Sequence, residues 1–154
     1  MNTLLFSATP FSHHTHARTE RSIALVGAPF GHGAGLRGTE MGPAAARIAG
    51  LLPALEMLGH RTCDLGDIAP SSVVGDHAEY VSGLGNHASN VSGWITALHE
   101  SVFSALSDGH RLVVVGGDHS LAMGSVSAAS RHAAARNRKL KVLWIDAHAD
   151  FNTP

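Results

Sequence analysis

The amino-acid sequence predicts an α/β fold, a parallel sheet with helices on both faces, and three observations carry that expectation. Short apolar runs alternate along the chain with segments of helical periodicity, the order of βαβ units. Some of the runs, such as Val142-Leu143-Trp144-Ile145, are apolar at every position, as strands buried on both faces are. No internal repeat and no linker divides the 154 residues, a length that suits one domain around one hydrophobic core.

Each element has a local cause. Residues 1–20 carry His13, His14 and His16. Such a cluster could capture metal, but N-terminal tails are commonly mobile, so a disordered tail is expected before a domain at 21–154. Residues 22–27 read as a first buried strand, followed by a glycine-rich loop over 31–42. Pro43 suits the first helical position, and the helix runs through Ile48, Leu51 and Leu52. A further turn over 53–58 stops at Gly59 as a C-terminal cap.

Residues 60–65 give a second strand. Residues 66–87, rich in Gly, Ser, Asp and Pro, form a long surface loop of the kind that is commonly functional or mobile. Ser89 or Asn90 can cap the next helix, in which Trp94, Ile95, Leu98, Val102, Ala105 and Leu106 recur at helical spacing before Gly109. Residues 112–115 form a third strand, closed by Gly116-Gly117, and a helix over 120–138 leads to a fourth at 141–146. Apolar on both faces, that fourth strand is expected at the centre of a sheet, with strands beside it and a helix after it. The sequence beyond it supplies neither. The chain is therefore expected to be the first part of a larger α/β domain, truncated after about four strands.

Composition excludes several classes. With 11 Lys+Arg against 12 Asp+Glu, no long-range field gathers nucleic acid or an anionic membrane. Arg131, Arg136, Arg138, Lys139 and Lys141 cluster at the end of a predicted helix, where cations complement the macrodipole, and read as a solvated helix terminus. The single cysteine, Cys63, excludes an intramolecular disulfide framework and fits a reducing, cytoplasmic setting. Its own role is that of a small core residue. No apolar stretch reaches the roughly 18 residues of a membrane span, and residues 1–8 lack the basic start of a signal peptide.

Two motifs carry chemistry. The first is Asp146-x-His148-x-Asp150, which follows the fourth apolar run and so falls where open α/β sheets place ligands, beyond the strand C-termini. Three metal-competent side chains in five residues, none of them cysteine, point to a divalent cation held largely by oxygen. Residues two apart in a strand share a face at about 6.6 Å, and Asp146 and Asp150 would lie about 13 Å apart in a straight strand. One site takes both only if the chain bends, which Asn152 and Pro154 suit. The plainer alternative is an exposed, polar strand end.

The second motif, Gly116-Gly117-Asp118-His119-Ser120, leaves the third strand. Its glycines allow a sharp exit and close backbone approach, which would set His119 beside a neighbouring strand tip. Asp118 or Ser120 as a helix cap is the structural alternative, and the two roles are compatible. Together the motifs converge His119, Asp146, His148 and Asp150. The remaining histidines among the 12 read as surface or packing residues. A third pattern, Gly33-x-Gly35-x-x-Gly38, matches a dinucleotide fingerprint, but residues 28–32 intervene after the strand and the helix begins only at Pro43. It reads as a flexible loop near the site.

At these motifs the chain resembles the arginase branch of the ureohydrolase family. The likeness rests on residues 116–125 and 144–154, with support from Gly27-Ala28-Pro29-Phe30 and from 37–43. It implies a binuclear Mn2+ hydrolase on a parallel α/β sheet, an amidinohydrolase of arginine metabolism that cleaves L-arginine to L-ornithine and urea. By motif position His119 and Asp150 would bind one manganese, His148 the other, and Asp146 would bridge them. Asn152 matches a position that hydrogen-bonds the substrate α-carboxylate. A bridging hydroxide would attack the guanidinium carbon, with Asp146 and His148 among the ligands that activate it.

The family's further aspartate ligands, proton-shuttle histidine and guanidinium-binding glutamate lie downstream of this chain. The resemblance thus implies an active full-length parent, a trimer or hexamer, and an inactive 154-residue chain. An agmatinase or guanidino-acid hydrolase is the sister alternative. A non-catalytic metal-binding fragment is the alternative outside enzymes.

Overall fold

The computed structural model describes residues 21–31, 34, 38–70 and 86–147. The expected tail at 1–20, positions 71–85 of the long loop and most of the Gly33–Gly38 pattern lie outside the described residues. Strand β1 (Ile23–Ala28) is the middle strand of a parallel three-stranded sheet, between β2 (Thr62–Asp67) and β3 (Arg111–Gly116). All six residues of β1 are buried, as a central strand of a parallel sheet requires.

Helices α1 (Gly42–Ile48) and α2 (Leu51–Met57) connect β1 to β2, and α3 (Asn86–Ser107) connects β2 to β3. The two connections step in opposite directions from β1, so right-handed crossovers place their helices on opposite faces. The side chains agree. Val26 and Ala28 join a core cluster with Leu98 and Val102 of α3 and Ala128 of α4 (Ala122–Ala134). A Cβ on Gly27, which faces the other way, would meet Pro43 of α1 at 2.9 Å. The expected α/β class with helices on both faces is what the chain forms.

Differences from the sequence expectation are local. The break between the expected helix and the further turn falls at Gly50 rather than after Leu52, because Gly50 takes a left-handed φ of 81° there. Helix α3 begins at Asn86, ahead of the expected caps, and Gly109 follows it with a φ of 90°. At Gly124, α4 comes so close to α3 that a Cβ would sit 2.8 Å from the Ile95 carbonyl oxygen, so the helix–helix distance is set by a missing methyl.

The β1–β2 register slips between Leu25 and Gly27, which pair with Asp64 and Asp67. The extra residue in β2 is accommodated at Gly66, φ 79°, a bulge that turns both carboxylates to one side. Arg47 of α1 meets them there, Nε donating to Asp64 at 2.7 Å and a terminal nitrogen to Asp67 at 2.6 Å. The guanidinium holds the Asp64 carboxyl below the usual range. Partly exposed pairs of this kind contribute at most about 1 kcal/mol; the fork docks α1 against β2.

The basic residues do lie exposed at and beyond the end of α4, and two of them also make contacts. Arg131 lies 4.1 Å from the centroid of the Phe103 ring, and Arg136 donates to Nδ1 of His132 at 2.9 Å. Arginine can only donate, so His132 accepts and is neutral. Partial burial, then Arg136 and Arg21, push its pKa down from the ordinary histidine value. The unfolded chain takes up this proton near pH 6.5, the folded one only at lower pH, so stability falls as pH drops below about 6.5. The expected result is a melting temperature that declines from pH 7 to about pH 5.5, with the decline shallower in His132→Gln. Equal slopes in both proteins would remove this assignment.

The fourth strand is the main correction. Residues 141–146 form no strand, and β3 pairs only with β1 among the described residues. Leu143 and Ile145 are 85% and 88% exposed. An apolar run supplies faces to bury, but a strand exists through its hydrogen-bond ladder. Here no described strand borders the segment, and Leu143 and Ile145 are left exposed.

Candidate active site

Three backbone hydrogen bonds deliver His119 to its place. Past the end of β1, Phe30 continues alongside the exit of β3. Gly117 N–H donates to Ala28 O at 3.3 Å and Asp118 N–H to Phe30 O at 3.0 Å. The chain then closes into a 3-10 turn, His119–Leu121, with Leu121 N–H donating to Asp118 O at 3.3 Å. Asp118 caps the turn: its Oδ1 accepts from Ser120 N–H at 3.0 Å and from the Ser120 hydroxyl. The expected cap and the expected site residue thus coexist, Asp118 serving one and His119 the other.

The paired glycines serve close approach rather than an unusual backbone. Neither has a positive φ. A Cβ on Gly116 would lie 2.6 Å from Ala28 O, and one on Gly117 2.0 Å from Phe30 O. Only two hydrogens let β3 leave the sheet so near β1.

His119 Nδ1 lies 3.2 Å from Asp146 Oδ2. The imidazole is half exposed and the carboxylate largely buried, at 53% and 19%. They border an open cavity of about 280 Å³ whose wall also includes Val114, Leu121, Ser125 and Trp144. Two of the four expected ligands are therefore brought together from separate parts of the chain. His148, Asp150 and the expected substrate residue Asn152 lie outside the described residues. Among the described residues, no group of three or more His, Cys, Asp or Glu side chains is placed to hold a metal ion.

One neighbour went unread in the sequence. The Trp144 ring stands 5.1 Å from that of His119, centroid to centroid, tilted by 49°. The signal was available: residues two apart share a side, and the alternation that links Asp146 to His148 also runs backward to Trp144.

A sequence model of the Arginase family matches residues 21–154. The chain belongs to the arginase family. Arginase, non-hepatic 1, of Xenopus laevis is 42% identical over 137 residues, which are 89% of this chain and 36% of that protein. The mitochondrial arginase-2 of Rattus norvegicus is 44% identical over 137 residues, 89% of this chain and 37% of its own length. Crystal structures of arginases from Bacillus subtilis and Bacillus cereus superpose with TM-scores of 0.67 and 0.65 at 31% and 30% identity. Each covers 86% of this chain, and the chain covers 40% and 41% of them. The arginase-family chain thus spans well under half the length of these relatives. Its parallel sheet with helices is theirs.

Proposed function

We propose that this arginase-family chain supplies the first ligands of a binuclear manganese site in a protein that hydrolyses L-arginine to L-ornithine and urea. The observation that carries the proposal is the approach of His119 Nδ1 to Asp146 Oδ2, 3.2 Å apart beside an open cavity.

The donors fit a divalent ion of this class. Bonds of about 2.1 Å in adjacent octahedral positions put two donor atoms about 3 Å apart, close to the observed separation. An imidazole with carboxylates suits manganese better than a thiolate-seeking metal. His119 and Asp146 would hold the ions together with His148 and Asp150, and Asn152 would bind the substrate α-carboxylate. When bound, paired cations supply a nucleophile near neutral pH by lowering the pKa of water. The chain's own part is positional. The capped turn fixes His119, and the low exposure of Asp146 strengthens its hold on a cation. The assembled protein is proposed to be a trimer or hexamer.

The test compares the 154-residue chain with a full-length protein that contains it, each with Mn2+, by urea release from L-arginine and from agmatine. Urea from arginine by the full-length protein alone is expected. Release from agmatine and not arginine would transfer the proposal to an agmatinase, and release from neither would end it. His119→Asn in the active protein is expected to weaken Mn2+ binding at least as much as losing a supporting group does, about 10–100-fold.

A further inference from the structure

We infer that Trp144 is a positioning residue for His119: its indole confines the imidazole so that Nδ1 faces Asp146. The inference rests on the metal-site proposal for its purpose, and on three independent observations for its geometry.

Exposure alternates along the segment that failed to become a strand. Leu143 and Ile145 are almost fully exposed, whereas Val142 and Trp144 are 52% and 49% exposed. Trp144 and Asp146 both meet His119, by ring contact and through Oδ2 respectively. The rings of Trp144 and His119 are 5.1 Å apart and tilted by 49°, within the range where aromatic rings attract beyond simple burial. Finally, the imidazole stands half exposed at the mouth of the cavity. There, packing by the surrounding core does not choose its rotamer.

A histidine ring has about three χ1 wells and two broad χ2 orientations. Only the well that aims Nδ1 at Asp146 completes the donor pair. The backbone turn, capped by Asp118, sets where the side chain starts, and the indole face excludes wells that swing the ring away. Without that face, the competent fraction falls, and apparent affinity falls by the same factor. One residue two positions ahead of Asp146 thus couples the orientation of both donors: the local conformation that points the carboxylate inward also brings in the indole.

The experiment uses the whole 154-residue chain with Mn2+ alone, titrated by calorimetry, in the wild type, Trp144→Phe and Trp144→Ala. Trp144→Ala is expected to bind about three- to sixfold more weakly, and Trp144→Phe, which keeps an aromatic face, within about twofold of wild type. The metal-free readout is the His119 ring proton shifts in proton–carbon NMR spectra. Ring current from the indole should displace them in wild type, and Trp144→Ala should return them to ordinary histidine values. Unmoved shifts overturn the inference whatever the metal does, as does an alanine variant that binds Mn2+ as tightly as wild type. Absence of Mn2+ binding by the wild type counts against the metal-site proposal, while the ring shifts still decide whether Trp144 fixes the imidazole.

Discussion

Phe30→Ala is expected to destabilise the fold by about 3–5 kcal/mol, the usual loss for truncating a buried aromatic ring. Phe30 is 1% exposed and packs with Leu98, Val102 and Leu121 in the core cluster. Its ring lies 5.5 Å from that of Trp94. The cluster around it is drawn from β1, α3 and α4 at once. At this chain length the melting temperature should fall by roughly 6–20 °C. Denaturant unfolding measures the effect directly, and Phe30→Leu, which retains much of the volume, should lose far less. A loss below about 1 kcal/mol for the alanine variant would mean the core does not close around this ring.

The second large effect comes from adding a methyl rather than removing a ring. Gly117→Ala would place a Cβ 2.0 Å from the Phe30 carbonyl oxygen and 2.8 Å from a Leu121 methyl. The carbonyl cannot swing aside without surrendering the hydrogen bond it accepts from Asp118 at 3.0 Å. β1 and the exit of β3 must therefore separate. A cost of about 3 kcal/mol is expected, the upper end of the range for overpacking. His119 is two residues on, so Mn2+ affinity should fall as well. Gly59→Ala is the control. Its φ of 84° makes alanine strained, yet nothing lies within 4 Å of the new methyl, so about 1–2 kcal/mol is expected from backbone strain alone. If Gly117→Ala proves no worse than Gly59→Ala in thermal unfolding, the close approach at the site is wrong.

The described part of the site, around His119 and Asp146, was legible in the sequence. The Gly-Gly pair announced a close approach, and the approach is to Ala28 and Phe30. Asp118 announced a cap, and it caps Ser120. His119 and Asp146 were expected to meet, and they do. What stayed hidden is non-local. The Phe30 carbonyl as partner of Asp118 depends on how far β1 extends beyond its last ladder bond. The Arg47 fork depends on a one-residue slip in β2, which no periodicity marks because a bulge breaks the period it would be read from.

By itself the sequence determined the three strands of the sheet and the helices between them, and which donor types could face a cation. Those properties repeat every two or 3.6 residues and are written in neighbouring side chains. Tertiary structure alone decided that β1 is the centre, that residues 141–146 join no ladder, and that Trp144 stands against His119. A ladder needs a partner strand at hydrogen-bond distance, and a ring contact needs two distant turns at one sheet edge. Both are supplied by packing, which no local pattern encodes.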